Sequence, residues 1–216
     1  IGNLGIIRGI LDQADVEKGF QDIIMAIIDK GEIDELFKTL NELKIDPQTS
    51  EILLTLVGLV GHREIIKEAF EIIKNSPESV EALEELEELL DILEAFGFSN
   101  YTVNLGIARG LDYYSGIVFE IYARSLGAQK QISGGGTYNL IEIFGGEKVE
   151  STGFAFGFDR LVECVRLCGG AKSLPKTVDV YVVPISKELK LKAFEVAQIL
   201  RKNSIKTEVD LVGRKL

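Results

Sequence analysis

Two cysteines, Cys164 and Cys168, and one histidine, His62, are all that these 216 residues contain of those two residue types. A structural zinc site needs four such ligands, so none is expected. The i, i+4 spacing of the cysteines puts both on one side of a helix, where buried free thiols are the expectation. His62 follows Gly61 near a helix start and reads as a surface or capping side chain without a catalytic role. No apolar stretch approaches the roughly 18 to 20 uninterrupted residues that a membrane span requires, and no basic-then-apolar leader opens the chain. A soluble, cytosolic protein with no membrane partner is expected. The first residue is Ile1 and not methionine, as expected of a processed or cut chain.

What is present is a large apolar fraction, 46%, enough to bury a core shared among about one to three compact units. The formal net charge of −10 argues at first against a nucleic-acid partner, because phosphate binding requires local positive potential. The distribution of that charge points the other way for part of the chain. Residues 16–97 hold 20 acidic and 7 basic side chains, a net of −13, which leaves +3 for the remainder. From residue 172 onward there are 10 basic and 5 acidic residues, so this end is the part suited to face RNA.

Residues 16–97 show apolar positions at three- and four-residue intervals and almost no strand signal, which predicts an all-helical segment. Its clearest helix covers 77–96: Ser76 caps it, Pro77 suits the first turn, and Val80, Leu83, Leu86, Leu90, Leu93 and Phe96 form the buried stripe. Gly97 supplies the stop. The acidic outer face, Glu81 to Glu94, reads as solvated. After Gly97 the texture changes to β-branched and aromatic runs at 101–107, 117–123, 129–133 and 151–158, separated by glycine-rich turns, which predicts a mostly antiparallel sheet. A helix over 158–168 and a Gly/Ser/Pro hinge at 169–175 follow. Beyond the hinge, strands at 178–183 and 206–211 flank an amphipathic helix at 186–202, the opening of an α/β unit with a parallel sheet. The expected fold class is therefore α+β. The expected segments are 1–15, the helical 16–97, the sheet-bearing 98–170, and 171–216.

Chemistry concentrates in three runs of the sheet region. In the first, residues 108–120, Arg109 stands between small residues, where its planar fork suits bidentate contact with phosphate oxygens. Tyr113 and Tyr114 offer apolar rings with a hydroxyl handle for a small polar ligand. The same run also reads as scaffold, with Arg109 and Asp112 paired and the tyrosines filling the core. In the second run, 132–139, Gly134, Gly135 and Gly136 bring bare backbone against a ligand, or simply make a tight turn. The third, 153–161, alternates small and aromatic residues and then becomes a helix with Arg160 in its first turn. The cation, the unpaired backbone N–H groups and the positive helix end together suit a nucleotide phosphate. An Asp159/Arg160 surface pair is the plainer reading.

Taken together, in order and spacing over residues 98–168, the three runs resemble histidyl-tRNA synthetases. Residues 109–120 look like that family's histidine-specific signature, 133–139 like its second histidine-associated glycine loop, and 153–160 like motif 3 of the class II aminoacyl-tRNA synthetases. The resemblance extends more weakly to the whole chain. It implies a partial class II core, with 1–15 as the tail of the preceding core segment, 16–97 as a helical insertion, 98–170 as catalytic core, and 171–216 as linker and truncated anticodon-binding domain. It also implies ATP, Mg²⁺, histidine and the histidine tRNA as substrates and partners, and a homodimer in the intact enzyme. Arg109 would then be catalytic and, with Arg160, ATP-binding, while Tyr113, Tyr114, Gly134, Gly135 and Tyr138 would bind histidine.

Two departures stand out. The family's glycine loop often continues with Arg and Asp, whereas Thr137 and Asn139 stand here. Motif 1, which builds the class II dimer, and motif 2, whose arginine grips ATP, would both precede Ile1. The fragment alone is therefore expected to be inactive. The alternative from another class is a noncatalytic paralog such as the regulatory subunit of ATP phosphoribosyltransferase. Arg109, Arg160 and the apparent anticodon domain speak against it. An unrelated β-rich nucleotide-binding module accounts for the glycines but not for the ordered trio.

Overall fold

The computed structural model describes residues 1–108, 113–170 and 177–211. Residues Ile1–Cys164 form one compact unit and Val165–Leu216 a second. In the first, a short strand β1 (Gly2–Asn3) leads into α1 (Leu4–Gln13), followed by α2 (Lys18–Lys30), α3 (Ile33–Glu42) and α4 (Pro47–Gly58). Then come β2 (Val60–Gly61), α5 (Ile65–Ile73), the long α6 (Pro77–Ala95) and β3 (Val103–Asn104). Strands β4 (Tyr114–Tyr122), β5 (Gln131–Tyr138) and β6 (Ser151–Phe156) follow, with the one-turn helix α7 (Leu140–Ile143) between the last two. Helix α8 (Phe158–Leu167) runs across the division between the units. The second unit contains β7 (Val180–Val182), α9 (Lys190–Lys202) and β8 (Thr207–Val209).

The main sheet has the order β1-β4-β5-β6 with every neighbouring pair antiparallel. β7 and β8 pair in parallel with α9 between them in sequence, the βαβ opening that the periodicity predicts. Residues 101–107 do not extend as a strand of the main sheet. Only Val103–Asn104 pair, antiparallel with Val60–Gly61, in a separate two-stranded ribbon. Asn104 explains part of this: its side-chain oxygen accepts from the Gly106 N–H at 3.0 Å, turning the chain where a strand would have continued.

Helix α1 is held against α6 by a close crossing. A Cβ on Gly9 would stand 2.5 Å from Ser79 Oγ, and one on Gly5 would stand 2.8 Å from Ala82 Cβ. Small residues on both helices therefore let the backbones approach. A polar seam satisfies what that approach buries: Ser79 Oγ donates to the Ile6 carbonyl at 2.8 Å, and Asn3 Nδ2 donates to the Ala82 carbonyl at 2.8 Å. Asn3 also caps α1, its oxygen accepting from the Gly5 N–H. Around this seam Ile6, Ile7, Leu11, Leu86 and Leu90 are fully buried.

At α6 the structure departs from the sequence expectation in two places. Ser76 sits at the N-cap but makes no side-chain cap bond; its hydroxyl donates instead to Ser79 Oγ at 2.9 Å, joining the α1–α6 seam. Phe96 is not in the buried stripe but 85% exposed, although its backbone is still right-handed helical and its N–H still donates to the Ile92 carbonyl. Gly97 at φ +80° stops the helix, with its N–H donating to the Glu94 carbonyl and that of Phe98 to Leu93. The acidic face of α6 is exposed, as expected, but partly engaged: Arg63 reaches Glu87, Asp91 and Glu94. Beside this cluster the His62 ring stacks on Tyr101 with centroids 4.4 Å apart, and Tyr101 donates to Glu94. Burial, aided by that carboxylate, pushes the Tyr101 phenol up to about 12. His62 is thus a surface histidine, as its position after Gly61 implies. Cys164 is only half-buried and Cys168 exposed, so the expected burial of the two thiols holds for neither. Helix α8 has no buried residue among its ten.

Candidate functional site

The three runs meet on β4, β5 and β6. Arg109, with Gly110, Leu111 and Asp112, lies outside the described residues. The remaining sites are placed by strand register. Tyr114 at the start of β4 stands opposite Tyr138 at the end of β5, and Tyr138 opposite Ser151 of β6. The register shifts between Tyr114 and Val118, an irregularity of the kind that re-aims side chains at a sheet end.

Three aromatic rings converge at this corner. The Tyr113 and Tyr114 centroids are 4.9 Å apart, and the Tyr138 ring meets them edge-on at 5.6 and 6.2 Å. Tyr114 is buried, while Tyr113 and Tyr138 are half-buried. The sequence leaves open whether these tyrosines fill a core or line a pocket. The geometry allows both, because Tyr114 sits among the core residues and the other two keep part of their surface. Gly153 contributes something the sequence did not single out. A Cβ there would lie 2.9 Å from the Tyr138 hydroxyl, so the bare backbone of the third run makes room for the tyrosine of the second.

The glycines of β5 serve their neighbours first. Gly134 is buried and pairs with Glu120 and Ala155; Gly135 pairs with Phe119 and Phe154. A Cβ on Gly135 would fall 2.2 Å from the Gly153 carbonyl oxygen, and one on Gly136 2.4 Å from that of Ile117. The close approach inferred from the glycine run is therefore between strands. Ser133 reinforces it by donating to the Ala155 carbonyl at 2.9 Å.

Arg160 lies in the first turn of α8, as its sequence position implies. Its stem folds over Gly157, where a Cβ would be 3.4 Å from Arg160 Cδ, and Nη1 donates to the Gln131 carbonyl at 3.0 Å. The Gly157 N–H donates to the Ile132 carbonyl at 2.8 Å, so the β6–α8 turn is tied to β5 from both sides. One of the five N–H donors of a guanidinium is spent on this anchoring. Among the described residues no three His, Cys, Asp or Glu side chains come together as a metal site, and no helix is long and apolar enough to cross a membrane.

An antiparallel sheet interrupted by a helical segment, with a tyrosine corner at one end and an arginine-bearing helix start at the other, makes a mixed core of helices and mostly antiparallel strands. Comparison with known proteins makes this specific. The family profile described as histidyl-tRNA synthetase matches residues 1–161, and the chain belongs to that family. It is 40% identical over 216 residues to a histidine–tRNA ligase of Archaeoglobus fulgidus, covering all of this chain and 49% of the relative. It is 39% identical over 219 residues to a histidine–tRNA ligase of Methanocaldococcus jannaschii, again covering all of this chain and 50% of the relative. The chain thus spans about half the length of these curated relatives. A crystal structure of histidyl-tRNA synthetase from Nostoc superposes with a TM-score of 0.67 at 25% identity, over 100% of this chain and 52% of the other. A Bacillus halodurans structure described as an ATP phosphoribosyltransferase regulatory subunit/histidyl-tRNA synthetase gives the same score and identity, over 99% and 53%.

Proposed function

We propose that this chain is the carboxyl-terminal part of a histidine–tRNA ligase, which activates histidine with ATP and transfers it to its tRNA. The observation that carries this reading is identity of about 40% over the whole chain to curated ligases. The regulatory-subunit alternative has no comparable support, since it rests on the double name of one structural neighbour at 25% identity.

In the reaction, the histidine carboxylate attacks the α-phosphorus of ATP and pyrophosphate leaves; the terminal ribose hydroxyl of the tRNA then takes the histidyl group from the adenylate. Arg109 neutralises the nonbridging oxygens during the first step. Tyr113, Tyr114 and Tyr138 wall the histidine, with Gly134 and Gly135 as the strand beneath. Mg²⁺ would accompany the ATP phosphates and lend them positive charge; no side chain of this chain is assigned to it. The helical residues 16–97 serve as the insertion and 171–216 as the start of the anticodon-binding domain, with a homodimer as the complete assembly.

Arg160 belongs to the triphosphate end. In the complete ligase, Arg160→Ala is expected to raise the KM for ATP by about tenfold, the cost of one charge-assisted contact, and to leave the KM for histidine within about twofold. Histidine-dependent ATP–pyrophosphate exchange measures both. Loss of histidine affinity with an unchanged ATP response would contradict the assignment. The 216-residue chain alone is expected to give no exchange, because half a phosphate site positions its substrates poorly. Exchange by the purified chain would show that these residues suffice for activation.

A further inference from the structure

We propose that Glu120 is a positioning residue for ATP, its carboxylate acting through Gln131 on the Arg160 guanidinium. The inference rests on the ligase reading above and on the place of Arg160 at the triphosphate. Glu120 lies on β4 and Gln131 is the first residue of β5; both are half-buried. Gln131 Nε2 donates to Glu120 Oε1 at 2.6 Å, and the backbone carbonyl of the same Gln131 accepts from Arg160 Nη1 at 3.0 Å. One residue thus joins a carboxylate of β4 to a cation of α8.

The strand pairing shows why this junction needs a side-chain tie. Ile121 stands opposite Ser133, but Tyr122 stands opposite Gln131, so β5 carries one extra residue, Ile132, at this point. Such a bulge interrupts the ladder, and its backbone is no longer fixed by regular pairing alone. The β6–α8 turn nevertheless depends on both carbonyls there: that of Ile132 accepts from the Gly157 N–H at 2.8 Å, and that of Gln131 accepts from Arg160. The Glu120–Gln131 bond spans the bulge from the β4 side, and Tyr122 donates to the same carboxylate.

The chemistry follows from what Arg160 would otherwise do. An arginine side chain has several rotatable bonds, and an exposed one samples many directions unless a partner holds it. The Gln131 carbonyl holds one end of the guanidinium and leaves its other donors for phosphate oxygens. A carbonyl that shifts with its bulge would hold that fork less firmly, and ordering it would then weigh against ATP binding. In this role Glu120 need not touch ATP; it keeps the carbonyl in place.

The test is a double-mutant cycle on the complete ligase, read by histidine-dependent ATP–pyrophosphate exchange. Glu120→Ala removes the acceptor and is expected to raise the KM for ATP about fivefold, with the KM for histidine within about twofold. Glu120→Gln keeps an oxygen that accepts from Gln131 and should stay within about twofold of the unaltered enzyme. Gln131→Ala removes the donor but keeps the backbone carbonyl, so it should reproduce the Glu120→Ala rise, and it carries the test should Glu120→Ala fail to fold. In the Arg160→Ala background, Glu120→Ala should add less than about twofold, because the side chain it positions is gone. A merely structural bond predicts the opposite: a rise of the same factor with and without Arg160, or an equal rise for both substrates. Either of those results, or an unchanged KM for ATP in both alanine variants, overturns the inference and leaves the ligase reading standing. Absence of exchange in the unaltered complete protein overturns the ligase reading and the inference with it.

Discussion

Arg109→Ala is expected to slow histidyl-adenylate formation in the complete ligase by roughly a hundred- to a thousandfold, about 3 to 4 kcal/mol of barrier. The size follows from where charge develops. As pyrophosphate departs, the nonbridging oxygens of the α-phosphate carry negative charge that a fixed cation neutralises at no reorganisation cost. Lysine is not expected to rescue the variant. A point ammonium keeps the charge but loses the rigid fork that contacts two oxygens together. Transfer from preformed histidyl-adenylate should be affected far less, because the charge build-up is already past. Single-turnover assays with and without preformed adenylate separate the steps. Near-normal activation by the alanine variant, or a defect confined to transfer, would make a structural pairing of Arg109 with Asp112 the better account.

Gly135→Ala is expected to destabilise the protein by about 3 kcal/mol or more, at the upper end of overpacking substitutions. The added methyl would lie 2.2 Å from the Gly153 carbonyl oxygen and 2.6 Å from Phe154 Cβ, so it meets a strand and its side-chain root, not a flexible tip that can swing aside. Relief requires β5 and β6 to separate, which breaks the pairing that holds Tyr138 over Gly153 and ties Gly157 to Ile132. Loss of histidine binding should accompany the loss of stability. Gly116→Ala, on the neighbouring strand, is the control. Its methyl would find only Thr137 Cβ at 3.8 Å, an ordinary contact, and the expected change is within about 0.5 kcal/mol. Urea unfolding of both variants gives the comparison. Equal midpoints would mean that the β5–β6 spacing yields more easily than backbone contacts imply.

The Arg109 effect follows from the residues beside it in sequence and from phosphoryl chemistry. The Gly135 effect appears only when Gly153 and Phe154, from the next strand, are brought beside it. From sequence, the glycine run is equally a ligand cradle or a turn, because a glycine announces that something approaches but not what. The tyrosines are similar. Tyr113 and Tyr138 come from different strand ends, and no local pattern says that their rings meet at 5.6 Å.

Sequence by itself determined the helices of residues 16–97, whose apolar spacing matches the helical turn, and the glycine stop at 97, where the left-handed backbone is one that glycine adopts without steric cost. It determined the antiparallel character of the later strands, the parallel pairing of β7 with β8, and the order of the three runs that carry family membership. These are properties of local periodicity and of linear order. Tertiary structure alone decided that Val103–Asn104 form a ribbon with β2, that Ser76 joins the α1–α6 seam, and that Phe96 and Cys168 face outward. It alone left Asn139 with an unpaired oxygen. The reason is common to all of these: burial and pairing depend on what arrives from elsewhere in the chain, and a residue's neighbours in sequence do not contain that information.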